Sequence, residues 1–308
     1  MPHVGEDIMI PIIDWQDFSS GKSPEDITAC IGGAARTSGA FVLTNHGIPR
    51  GVLRDVLELT QVFFDLGEDS KGPAVIDSGF LTRGWCAGSK TAGGDSGESF
   101  TIGRALGGSD TAPASPGAGD TGWPEIDGFH EAVLDMYKEM SALSRVVMRA
   151  FEPDLALPNS FFASHFTRPM SILSLLRYPV GQRGGEQGAK VHRQNGALSL
   201  IVSEGDTGVE VQTLSGDWVP APHVPSGILV KAGDCLARWS NDAYVSSPMR
   251  VPQQNMRHHA VVFALAPNTD SIVAPLPRTG SPKYAPITAA DYLLQTAGEF
   301  AAGASAAE

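Results

Sequence analysis

The stretch SILSLLRYP, Ser171 to Pro179, is a short apolar run that ends on a proline. It opens a series: GALSLIVSE (196–204), GVEVQT (208–213), DWVPAP (217–222), GILVKAGD (227–234), CLARWS (235–240) and HHAVVFALAP (258–267). Such runs are too short for ordinary helices, and Gly, Pro, Asp and Ser punctuate them. The pattern predicts a sandwich, barrel or jelly roll of short strands.

Upstream the texture is helical. Phe129, Val133, Met136, Met140, Leu143, Val147 and Ala150 recur every three or four residues, which predicts one core-facing helix starting near Ile126. Helices are also expected over Pro24–Thr37 and Gly51–Leu66, with strands in IMIPIIDW (8–15) and GAFVLTNHGIP (39–49). The segment GGSDTAPASPGAGDTG (107–122) reads as a flexible loop. Its GAGDTG matches a dinucleotide-binding fingerprint, but no strand precedes it and Trp-Pro follows, so it is read as linker. The expected organisation is a single domain, 1–308. It has a helical and mixed region (1–125), a scaffold helix (126–169), a β core with a closing helix (170–296) and a frayed tail (297–308).

A net charge of −12 over 308 residues, with no basic run, argues against nucleic acid as a partner. The three cysteines, Cys30, Cys86 and Cys235, have unrelated spacings and are read as reduced thiols. With an acidic opening and no long apolar run, a cytoplasmic protein away from membranes is expected. Oligomeric state is not readable.

Several segments together resemble the isopenicillin N synthase-like branch of the iron(II)/2-oxoglutarate oxygenases. They are IPIIDWQDFSSG (10–21), GAFVLTNHGIP, ESFTIGR (98–104), GWPEIDGF (122–129), RPMSILSLLRYP (168–179), GILVKAGDCLARWSNDAYVSSPMRV (227–251) and SPKYAPITAADYL (281–293). The resemblance implies a distorted double-stranded β-helix, or jelly roll, with helices outside. It also implies an iron site of the form His-x-Asp with a distant second histidine. In KVHRQNGALSL (190–200) the first position is His192, but the Asp position holds Gln194, and the second histidine position holds Met249. The family's Arg-x-Ser grip on 2-oxoglutarate falls on Arg257 and His259.

Iron(II) prefers imidazole and carboxylate, whereas an amide is a weak neutral donor and a thioether suits softer ions. The reading that follows is a degenerate triad with no metal and no cofactor. The inherited pocket would carry out non-oxidative acid/base chemistry, such as cyclisation, isomerisation, elimination or rearrangement, on a small anionic or carbonyl-containing substrate. His192, His259 and Gln194 are the candidate catalytic groups, and Arg257, Arg177, Tyr178, Met249 and Trp239 the candidate substrate contacts. Two alternatives stay open: an iron(II)/2-oxoglutarate oxygenase with an unusual metal site, and a non-catalytic protein that binds a metabolite or partner.

Overall fold

The computed structural model describes residues 9–19, 24–71, 84–87, 97–103, 123–178, 191–205, 208–252 and 258–296. The loop expected over 107–122, the linker motif within it, Arg257 and the tail from 297 lie outside these residues.

Chain order begins with β1 (Ile12–Asp14), α1 (Trp15–Ser19), α2 (Pro24–Thr37), β2 (Ala40–Thr44) and α3 (Arg50–Asp65). The hairpin of β3 (Gly84–Ala87) and β4 (Glu98–Gly103) precedes the long helix α4 (Phe129–Ala150). All seven residues of the apolar stripe expected for α4 are buried. The second half supplies β5 (Ile172–Tyr178), β6 (Leu198–Ser203), β7 (Glu210–Gln212), β8 (Trp218–Pro220) and β9 (Ile228–Ala232). After them come α5 (Asp234–Trp239), β10 (Met249–Arg250) and β11 (His258–Leu265). A helix over 289–296 closes the described chain.

CLARWS, expected as a strand, is helical instead. Gly233 enters extended, Asp234 sits in the first turn and Arg238 in the last, where their charges suit the helix dipole. Leu, Ala and Arg are also good helix formers.

Eight strands form one sheet in the order β1-β2-β9-β6-β11-β5-β4-β3, and β10-β7-β8 form a smaller one. The two sheets face each other across an apolar layer. Leu176, Tyr178, Ile201, Leu229, Ala260 and Val262 of the large sheet meet Val211 and Met249 of the small one. The other face of the large sheet carries Leu175, Leu200, Val230, Val261 and Phe263, which pack with Phe63 of α3 and Met136 and Met140 of α4. This is a jelly roll whose major sheet is buried on both faces. One-residue alternation along each strand therefore decides whether a side chain enters the barrel or the helical layer.

Candidate functional site

The segment before β6 meets β10 at one bridge. His192 and Met249 form an antiparallel bridge, the His192 amide donating to the Met249 carbonyl at 3.0 Å and the Met249 amide to the His192 carbonyl at 2.9 Å. Residues opposed in this way place their side chains on one side. Gln194, two residues on, shares that side, and its Nε2 lies 3.6 Å from the Met249 sulfur. His192, Gln194 and Met249 are all buried.

Tyr178, a candidate substrate contact, lies in the same interior layer. Its register partner on β11 is His258, and the two rings lie 5.6 Å apart. This corrects the assignment of His259. The register pairs His259 with Arg177, and its ring stacks on Phe64 of α3 at 5.9 Å with an interplanar angle of 10°. His258 therefore takes the place in the barrel that His259 was expected to hold. With Ala260 and Val262 facing in, and Val261 and Phe263 facing the helices, the parity of β11 leaves no other choice.

Arg177 leaves the site for the same reason. It ion-pairs with Glu98 and donates to the Phe64 carbonyl at 2.7 Å. Glu98 also binds Lys71 and accepts from the Trp85 indole at 2.9 Å. Trp239 is packing too. It is buried, stands 5.3 Å from both Phe162 and His165, and donates its indole N–H to the Ile272 carbonyl at 3.1 Å.

A residue missed from sequence is Lys231, a lone lysine in the apolar run GILVKAG. It is wholly buried, sits between Ala40 and Ser199 in register, and donates to the Ser247 carbonyl. Leu229, two residues back, faces the barrel, so Lys231 does as well. Ser247 lies two residues before Met249, which puts the amine at the level of Gln194 across the bridge. Burial, partly offset by Asp234, lowers the Lys231 pKa to about 7. The Asp234 carboxyl is itself pushed above the usual range by burial, against opposing hydrogen bonds and cations.

Residues 10–126 match the family described as non-haem dioxygenase in morphine synthesis N-terminal, and residues 169–265 match the 2OG-Fe(II) oxygenase superfamily. The chain belongs to the 2OG-Fe(II) oxygenase superfamily. A 2-oxoglutarate-dependent dioxygenase of Trichoderma harzianum is 26% identical over 84% of this chain and 85% of its own. A homoarginine-6-hydroxylase of Oryza sativa subsp. japonica is 27% identical over 92% and 93%. The crystal structure of a full-length Neurospora crassa protein in complex with alpha-KG and thymine superposes with a TM-score of 0.83. That match has 26% identity and covers 97% of this chain and 99% of that one.

These relatives overturn the expectation that the chain uses no cofactor: they point to iron(II) and 2-oxoglutarate. The dioxygenase is named for 2-oxoglutarate, and the Neurospora crassa protein holds alpha-KG both with and without thymine. Iron(II), which the superfamily's name implies, would have to be held by the residues present. No three His, Cys, Asp or Glu side chains converge among the described residues. Around the His192–Met249 bridge the donors are one imidazole, one amide and one thioether, and His258 and Tyr178 add a second imidazole and a phenol but no carboxylate. That set lacks the charge and hardness that iron(II) selects, so it does not fit as it stands.

Among the described residues, no helix is long and apolar enough to cross a membrane.

Proposed function

We propose that this superfamily member binds a small molecule inside the barrel, where Tyr178, His192, Gln194, Met249 and His258 converge. The supporting observation is that convergence: polar groups from two strands and a loop, with the Met249 thioether of a third strand, lie in an otherwise apolar interior. A few directed polar groups in an apolar cavity are what small-molecule sites are made of. Imidazole, phenol and amide suit a carbonyl or carboxylate ligand, and the Lys231 amine adds positive charge at the level of Gln194.

We read the relatives' iron triad as exchanged here, with Gln194 and Met249 at two of its three positions. The contact between those two side chains favours a binding protein over an oxygenase, because they pack against each other. The second reading is an oxygenase with an unusual metal site. It is favoured by the relatives' activities and by the approach of three side chains to one point.

An anaerobic iron(II) titration of metal-stripped protein, with 2-oxoglutarate present, separates the two. Weak or undetectable iron(II) binding, with 2-oxoglutarate or a small carboxylate still bound, is expected. Tight one-to-one iron(II) binding would replace the first reading with the second.

A further inference from the structure

A cleft of about 530 Å³ lies outside the barrel, between α5, the turn after β7 and the C-terminal segment. Arg193, flanking His192 but exposed, stands on its rim, and Arg238 of α5 lines its wall. The Arg238 guanidinium is fixed between two aromatic rings, 4.3 Å from the Tyr284 centroid and 5.0 Å from that of Tyr292. One of its amines donates to the Ala285 carbonyl at 3.3 Å. Its buried Nε–H has no acceptor among the described residues.

The charge around the cleft is balanced, unlike that of the chain. Of its two acids, Asp242 is already bound by the Lys283 amine at 3.0 Å and by the Tyr284 hydroxyl at 2.8 Å. The other, Asp234, is held toward its neutral form by burial. Lys231 lies close enough to Asp234 and Arg193 to interact with both electrostatically. Two arginines thus line the cleft beside one acid that is already paired and one that burial makes harder to ionise, in a molecule of net charge −12. A guanidinium preset by aromatic stacking is suited to bind oxyanions.

We propose that this cleft is a binding site for a small polyanion, a di- or tricarboxylate or a phosphate ester, held between Arg193 and Arg238. It is distinct from the barrel site, and a cleft of this size accommodates a metabolite.

The test is calorimetric titration of the full chain with inorganic pyrophosphate and, separately, with citrate, at low ionic strength. At least one of them is expected to bind one to one. Binding of pyrophosphate alone assigns the site to phosphates, binding of citrate alone to carboxylates, and binding of both to polyanions of either kind. Arg193→Gln is expected to weaken binding about tenfold, the value of one charge-assisted contact. Arg238→Gln should act in the same direction, with a thermal melt confirming that it folds. Arg54→Gln, on the exposed face of α3, should leave affinity within about twofold, because bulk charge alone is worth little at one surface position. Binding of neither anion would overturn the proposal. So would an Arg54→Gln loss as large as that of Arg193→Gln.

Discussion

Gln194 and Met249 hold the two positions that the proposed reading takes for exchanged iron donors, and changing them is the sharpest test at the residue scale. Gln194→Asp with Met249→His is expected to raise iron(II) affinity by at least about tenfold over the native chain, read by anaerobic titration, because it supplies a carboxylate and an imidazole where the backbone already converges. No gain would mean that the surrounding barrel, rather than these two residues, rejects the ion. Lys231 gives a second prediction. Its ordinary value is 10.5, and the folded amine titrates near 7. Between those values the unfolded chain holds one proton more than the folded one, so stability should rise with pH by up to about 1.4 kcal/mol per unit. Lys231→Met should remove that rise, as followed by urea denaturation from pH 7 to pH 10. His192, Gln194 and Met249 were legible in the sequence, because the resemblance fixes their places and period-two spacing fixes their side. The choice between His258 and His259 was not. Ala260 to Leu265 is apolar at every position, so nothing in HHAVVFALAP marks which parity faces the barrel.

Elements show the same limit from another direction. Alternation of polar and apolar residues reveals a strand with one wet face, and the central strands here have none. The existence of β5, β6, β9 and β11 could be read, but not their facing, so Arg177 was assigned to a site it does not touch; Trp239 was misassigned because its segment, read as a strand, is the helix α5. Arg177 instead belongs to a junction between β4, β5 and α3. There Glu98 meets two cations, and its side chain is only 12% exposed, that of Lys71 3%. Removing one partner from such a buried group strands the others. Glu98→Ala is expected to destabilise the fold by about 3 kcal/mol or more, measured by urea denaturation. It should leave ligand binding in the barrel unchanged once the protein is folded. The pairing of Phe64 with His259 ties α3 to β11 at the same junction, which explains why an N-terminal helix and a late strand are fixed to each other.

At the scale of the whole molecule, β1 and β2 from the chain's beginning extend the sheet that β9, β6 and β11 build near its end. We expect the two halves to unfold together, as one calorimetric endotherm, in line with the single domain read from sequence. Two well-separated endotherms would divide the chain. The sheet's outermost member at this side is also its least inviting. β1 has three residues; Pro11 precedes it and spends its carbonyl on the Val42 amide at 2.8 Å. It ends at Asp14, whose carboxylate is engaged by Asn45 at 2.8 Å and by the Gln16 amide at 3.0 Å. A neighbouring copy arriving at this margin would find a proline without an N–H, a bound carboxylate and little backbone to pair with. The large sheet is in effect finished on this side, and crowding many copies together should not let them grow into a shared ribbon along it.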